Sequence, residues 1–408
     1  HPISLQEAVT QARANAPQTV QARGASRVAN ANWKAAVAAF LPSVNLGQSA
    51  YHSGGANFFQ GSLIPTSSGW SYSKGYSLGL TLFDGGSRIL GYRAARANLA
   101  AADQNEVLQS YAVALNVKQQ YFAVLAAREA GAAAQRQLEE GNEQMAVTQA
   151  KIAGGAMSRA DSLSSAVVVG QAKLAVITAQ GSLVSANAAL THLVGSGYEV
   201  TAMPSDTGLV PTISLDSTSL VRLALEGPAV RQAEHQVRSG RSSRWVALAR
   251  YLPSLYVSYG YSRYYASDRF IFGGGSLVNS HALYYSASYS LFDNFQREAS
   301  VVTANANADN ADAQLRDARL LARESLAQYL ATFRTAEQTI DLQRLQIESA
   351  TENVAAKDAQ YRAGAVSLVD VLTAETSLAQ ARQALIQARL DARTAKAQIE
   401  AVIGKDIE

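Results

Sequence analysis

Residues 252–262 read Leu252-Pro253-Ser254-Leu255-Tyr256-Val257-Ser258-Tyr259-Gly260-Tyr261-Ser262. From Leu255 onward Val257, Tyr259 and Tyr261 keep one parity apolar, while Ser254, Ser258, Gly260 and Ser262 occupy the other. Side chains alternate across a strand, so this spacing predicts a β-strand with one apolar face and one small or polar face. The same alternation runs through Tyr76, Leu78, Leu80 and Leu82 against Ser77, Gly79 and Thr81. It recurs in Leu283, Tyr285, Ala287, Tyr289 and Leu291 against Ser286, Ser288 and Ser290, and Val44 and Leu46 open a fourth, weaker example. Most of the 18 Tyr lie in or beside these strands. Tyr suits a surface that is apolar at one end and wet at the other. The Gly/Ser-rich stretches Ser53–Gly69 and Ala266–Ser280 read as exposed loops.

Outward from these strands the chain repeats itself. Phe40-Leu41-Pro42-Ser43 returns as Tyr251-Leu252-Pro253-Ser254. Leu82-Phe83-Asp84, Gly155-Ala156-Met157-Ser158 and Gly195 return as Leu291-Phe292-Asp293, Gly364-Ala365-Val366-Ser367 and Gly404. The last three pairs keep a separation of 209 positions (82 to 291, 155 to 364, 195 to 404). A constant offset over so long a stretch indicates duplication. The expected division is a first repeat over residues 1–195, a connector over 196–218 and a second repeat over 219–408. Ser196–Ser219 contains Pro204 and Pro211 and reads as having little regular structure. Each repeat should begin with an Ala-rich helix, as in Ile3–Leu41 with its break at Pro17.

After each second strand the period changes to seven. Leu326, Phe333, Ile340, Ile347, Val354 and Tyr361 mark one outgoing helix, and Val117, Val124, Gly131, Leu138, Met145 and Ile152 mark its counterpart. The return segments carry Val371, Leu378, Leu385, Ala392 and Ile399, and Ser162, Val169, Val176, Leu183 and Leu190. Sustained sevens imply coiled-coil packing between helices. An outgoing helix of about 65 residues would run roughly 98 Å, more than a monomeric globule needs.

Composition narrows the function. Charged residues make up 16% of the 408, and the net charge is +3, with no Lys/Arg run to suggest a nucleic-acid partner. There is no cysteine, which excludes disulfides and thiolate chemistry. The chain starts at His1, as expected after removal of a signal peptide. No stretch approaches 18 consecutive apolar residues, so any membrane crossing is expected of strands rather than helices. Four alternating strands cannot close a barrel, and open edges cannot sit in lipid. Copies must therefore share one barrel: two would give eight strands, three twelve, and the small inward residues favour the open lumen of the larger.

The order, duplication and spacing of several motifs then resemble the TolC-like outer membrane efflux protein family. They are Leu-Pro-Ser before the first strand of each half, Leu82-Phe83-Asp84-Gly85-Gly86, and residues 361–372, which begin Tyr361-Arg362-Ala363-Gly364 and end Asp370-Val371-Leu372. The resemblance covers nearly the whole chain. It implies a mixed α and β fold: a homotrimer with a twelve-stranded β-barrel in outer-membrane lipid and a long coiled-coil α-helical barrel in the periplasm. The implied partners are a periplasmic adaptor (membrane fusion) protein and an inner-membrane pump of the RND, ABC or MFS type. The implied function is the passive exit duct of a tripartite efflux system, with the outlet of a type I protein secretion system as the alternative. A coiled-coil scaffold that never enters a membrane would leave the Tyr-rich strands without a purpose.

The resemblance also implies site residues. Asp370 matches an aperture aspartate, Asp161 a gate-constraining aspartate and Tyr361 a constraining tyrosine. Val366 and Thr373 stand where some members carry an arginine and a second aspartate, so fewer polar links should hold this gate. A structural role competes: Ser158 with Asp161, and Ser367 with Asp370, form Ser-x-x-Asp capping boxes after turns at Gly154-Gly155 and Gly364 suited to left-handed caps. The small tips, Gly154, Gly155 and Ala156 in one hairpin and Gly364, Ala365 and Val366 in the other, are expected to meet the adaptor. The five His show no metal-ligand spacing, and Gly404-Lys405 lacks the upstream glycine of a phosphate-binding loop. No catalytic constellation, metal or cofactor is expected.

Overall fold

The structure, a computed structural model, describes residues 1–154, 159–203, 212–267, 269–270 and 278–407, apart from the side chains of 65–68 and 161. The chain forms two compact units, His1–Ser26 with Ala102–Gln232 and Arg316–Glu408, and Arg27–Ala101 with Ala233–Leu315. Each unit takes segments from both repeats, so the repeat is a unit of sequence and not of packing.

The first unit is mostly helical, and several of its helices continue into the second. Helix α1 (Leu5–Asn15) starts at Ser4, whose hydroxyl accepts the Glu7 amide at 3.3 Å. Helix α2 (Pro17–Ala38) begins on Pro17, a residue suited to the first helical position. Two outgoing helices, α3 (Ser87–Ala153) and α7 (Gln296–Arg362), each have 67 residues, and two return helices, α4 (Arg159–Val194) and α8 (Leu368–Ile403), each have 36. The equal lengths follow the duplication. Gly195 and Gly404 end the return helices in the left-handed conformation, with φ 71° and 70°. Shorter helices α5 (Ser217–Leu225) and α6 (Pro228–Ala249) open the second repeat.

The period of seven becomes the core. Leu326, Phe333, Ile340 and Tyr361 of α7 are buried, as are Val371, Leu378, Ala392 and Ile399 of α8. In the first repeat Val117, Val124, Val169 and Leu190 are buried. Fully buried Val and Leu side chains each contribute about 1.5–3 kcal/mol. Three ion pairs join α3 to α8: Lys118–Glu400 at 2.5 Å, Arg389–Glu129 at 3.3 Å and Arg382–Glu140 at 3.2 Å.

The connector contains more order than its prolines suggest. Strand β1 (Pro2–Ile3) pairs in parallel with β4 (Thr201–Ala202). The buried Tyr121 hydroxyl donates to the Ile3 carbonyl and accepts the Met203 amide, both at 3.1 Å. Two-residue strands have no periodicity to read, so the sequence offers no sign of them. Helix α4 has no run of 18 consecutive apolar residues, yet it is apolar on average. Its stretch Ser162–Val194 is long and apolar enough to cross a membrane by length and composition. Its exposed large apolar residues are Leu163, Val167, Leu174, Ile177 and Val184, spaced by four, seven, three and seven. That is the seam spacing of a coiled coil, which points to another helix rather than lipid.

The second unit holds one antiparallel sheet in the order β2-β3-β5-β6, formed by β2 (Ser43–Phe59), β3 (Ser62–Phe83), β5 (Ser254–Ser267) and β6 (Val278–Ser288). Val44, Leu78, Tyr259 and Leu283 form one cross-strand row, and Leu80, Val257 and Tyr285 form the next. The apolar residues thus share one face. Ser53–Gly69, expected as a loop, continues β2 and β3 as a paired hairpin that turns at Gln60-Gly61. Strand ladders bond through the backbone, so Gly and Ser carry the pairing without an apolar period.

The repeated motifs make the strand-to-helix corners. Asp84 accepts the Arg88 amide at 3.1 Å and pairs with its guanidinium at 3.0 Å. Asp293 repeats both contacts with Arg297, each at 3.1 Å. Arg88 lies over the Phe40 ring and Arg297 over Tyr251, at 5.5 and 4.9 Å. Sheet parity makes a direct prediction for a chain placed in a bilayer. Val257→Arg should cost about 2–4 kcal/mol per chain near the midplane and abolish heat-stable oligomer. Ser258→Arg, on the opposite face, should assemble. Equal oligomer yields on gels would reject the assignment.

Candidate functional site

Two features of the structure have the form of a conduit: a sheet with a polar concave side, and helical tips held together by polar contacts. The groove of the sheet is lined mostly by the small and polar parity of the strands, Asn45, Gly47, Ser49, Ser73, Gly75, Ser77, Gly260 and Ser262, with Tyr284 on that same parity and Leu46, Gln48, Tyr76 and Tyr261 of the other also reaching it. The short side chains leave space on the concave side, and the apolar parity covers the other.

The α7–α8 turn is the better described tip. Gly364 has φ 79°; its amide donates to the Tyr361 carbonyl at 3.0 Å, and the Ala365 amide donates to the Gln360 carbonyl at 2.8 Å. This pair of bonds is a Schellman cap, which needs a left-handed residue where Gly364 stands. Val366 folds back onto a small core of Tyr361, Leu368 and Val371, with Val147 from α3. Gly364 and Ala365 remain exposed. The Ser367 amide donates to Asp370 Oδ2 at 2.9 Å, and the Asp370 amide donates to Ser367 Oγ at 3.3 Å, completing the capping box. The Ser367 hydroxyl, followed by its amide, holds the Asp370 carboxyl below the usual carboxylate range. Capping is therefore present within one chain.

In the first hairpin Gly154 is described and does not adopt a left-handed φ. Gly155, Ala156 and Ser158 lie outside the described residues, as does the Asp161 side chain. The capping and gate roles expected of Ser158 and Asp161 fall there too.

Tyr361 is buried where α3, α4 and α7 converge. Its hydroxyl lies 3.3 Å from Thr148 Oγ1. Thr148 donates its own proton to the Gln144 carbonyl at 2.9 Å, so its oxygen receives from Tyr361 and from Ser165 Oγ, also at 3.3 Å. Lys151 Nζ donates to the Tyr361 carbonyl at 2.5 Å and lies 4.0 Å from the ring centroid. Tyr361 thus ties α7 to α3, and Thr148 extends the link to α4 through Ser165. Sequence reading reached Tyr361 by motif but missed Thr148, Lys151 and Ser165, which lie off the apolar period and carry no motif.

Acidic groups gather near this lock. Burial, then the charges of Glu140 and Asp358, push the Glu375 carboxyl up to about 7. Arg382 partners Glu140 at 3.2 Å and Arg362 partners Asp358 at 2.8 Å. Nothing in the sequence marked Glu375, because its shift comes from helices distant along the chain.

Known proteins share this architecture. The family model described as outer membrane efflux protein matches residues 8–196 and 220–405. Protein CyaE of Bordetella pertussis is 24% identical over 395 residues, covering 93% of this chain and 80% of its own. A CusC crystal structure, described in terms of conformational changes accompanying folding and transmembrane channel formation, superposes with TM-score 0.86 at 21% identity, covering 98% of this chain and 92% of that one. The outer membrane protein VceC of Vibrio cholerae does so with TM-score 0.85 at 17% identity, covering 99% and 97%.

The elevated Glu375 proton makes stability depend on pH. The folded chain holds that proton to about pH 7, whereas the ordinary value is 4.5. Folding is therefore favoured at low pH, and the advantage is lost as pH rises from about 4.5 through about 7. Glu375→Gln should remove this part of the pH dependence and raise the unfolding temperature at pH 8 more than at pH 5. Parallel curves for the two proteins would exclude Glu375 as the source.

Proposed function

The chain belongs to the outer membrane efflux protein family, and from that premise we propose that it is the exit duct of a tripartite efflux system. It is an outer-membrane channel protein with its helical tunnel in the periplasm. Three copies would close twelve strands into one barrel, with the small, polar parity around an aqueous lumen. Small molecules would pass through it passively when the periplasmic tips engage an adaptor joined to an inner-membrane pump. The observation that carries this reading is the polar concave wall of the sheet, backed by an apolar outer face in register across all four strands.

At the closed end, three copies of Asp370 would ring the axis near three copies of Asp161. Clustered carboxylates attract cations. The Tyr361 contacts would hold each chain's hairpins together there, and adaptor engagement would loosen them. The capping role of Asp370 is compatible with this, because a carboxylate at a helix N-terminus can still face a pore.

Deleting the gene should make cells accumulate small toxic compounds, and the intact chain should restore export. Loss of a secreted protein with normal drug export would instead identify a protein secretion outlet. In planar bilayers, a trivalent cation added on the periplasmic side should block the wild-type channel. Asp370→Asn should weaken that block, whereas Ser367→Ala should cost about 1 kcal/mol of helix stability and leave it in place. Undiminished block in Asp370→Asn would remove the aperture role.

The tips Gly154, Gly155 and Ala156, with Gly364, Ala365 and Val366, would form the adaptor contacts. Gly364→Trp should assemble as a trimer yet lose export and crosslinking to the adaptor. Normal export by that variant would place docking elsewhere.

A further inference from the structure

Strands β2, β3, β5 and β6 contain no Asp or Glu and only two cations, Lys74 and Arg263. These two are direct partners in the β3–β5 register, so they leave the sheet side by side on its apolar face, and both are exposed. Gln48 is the register partner of Lys74 and Asn279 that of Arg263, which extends the polar row across all four strands. Like charges directly opposite each other destabilise a sheet. Among the described residues neither cation has a carboxylate in ion-pair contact. The sheet thus holds two adjacent cations whose counter-charge does not come from the strands.

Their height identifies what lies opposite them. Lys74 stands nine residues before Phe83 and Arg263 nine residues after Ser254, the strand ends that lead to the helices. Nine residues rise about 30 Å along a strand, or about 23 Å at the usual tilt of roughly 40°. The apolar band of such a barrel is about 25 Å tall. With the apolar band beginning at those strand ends, the pair would stand where hydrocarbon gives way to headgroups, on the side away from the periplasmic helices. Isolated cations reach headgroups by snorkelling wherever they stand along an interface. Placing the only two in direct register is unfavourable unless one anion is shared between them.

We propose that Lys74 and Arg263 form a clamp for the phosphate of a phosphorylated outer-leaflet lipid. A phosphate monoester carries about −1.5 to −2 charges, enough to balance both side chains. Arg263 offers a planar fork to two phosphate oxygens and Lys74 a compact point charge. The Tyr261 hydroxyl donates to Asn279 Oδ1 at 3.2 Å, which leaves the Asn279 amide nitrogen free to donate to the same anion. The closed barrel would carry one clamp per chain on its outer surface, separate from the lumen.

The test uses the full-length protein purified in detergent, with native mass spectrometry reading retained lipid. Wild type should retain bisphosphorylated lipid A, and the double variant K74Q/R263Q should bind it at least tenfold more weakly. Dephosphorylated lipid A should bind both proteins equally and weakly. Inorganic phosphate at matching concentration should not displace the lipid; full displacement would make this a free-anion site and overturn the lipid assignment. Heat-stable oligomer on gels separates loss of the clamp from loss of the barrel. Should the double variant fail to assemble, R263K keeps the charge and removes the fork, and it should still weaken binding several-fold. Equal retention by wild type and an assembled variant would overturn the proposal.

Discussion

Among the described residues, no strand pairs with the outer edges of β2 and β6, and hydrocarbon offers their backbone groups no partner. Most of the design follows from that single demand. A four-stranded curved sheet is stable in lipid only when each edge meets the opposite edge of another copy. The closed wall is then one strand thick, so every residue faces either lipid or lumen. Such a wall has no interior in which to bury side chains, and this is why alternation is so regular in Val257–Ser262.

The helices answer the same demand in water. A helix of 67 residues satisfies its own backbone, so its association is governed by side chains. Within the chain the seam is narrow: on α8 buried residues recur every three or four positions, as in Val371, Ala374, Leu378 and Ala381, with ion pairs such as Lys118–Glu400 between α3 and α8. Burial alone would lower the Lys118 pKa, but Glu400 and Asp406 outweigh it and leave it raised. The exposed stripe on α4, with Leu174 at 62% and Ile177 at 64%, matches a seam in spacing and suits a neighbouring chain. An assembly held by narrow seams and a few polar locks can open at one end without losing its fold, because each lock contributes only about 1 kcal/mol or a little more.

The duplicated corner motifs divide structural from gating residues. Asp84 with Arg88 and Asp293 with Arg297 are near copies in contact and distance, as expected of residues that set a chain direction twice. At the tips the two repeats need not match, because a gate gathers different helices at different points. Tyr361 has no tyrosine counterpart 209 positions earlier, where Ile152 stands. Its polar partners Thr148 and Lys151, and Ser165 that donates to Thr148, come from the other repeat.

Sequence by itself determined the strands, the heptad helices, the duplication and the need for copies. Each of these is a periodic demand made by local geometry: period two for a one-layer wall, period seven for a helical seam. It also located the Ser367–Asp370 cap, whose four residues lie together along the chain. Tertiary structure alone decided that the compact units cut across the repeats, that Ser53–Gly69 is a ladder and not a loop, and that β1 joins β4. It alone set Lys74 beside Arg263, gathered Thr148, Ser165 and Lys151 around Tyr361, and raised the pKa of Glu375. These features depend on distances between residues far apart in the chain, and a pairing or a desolvated charge leaves no period behind. A sequence pattern records which face a residue must take; only the folded chain fixes what stands opposite it.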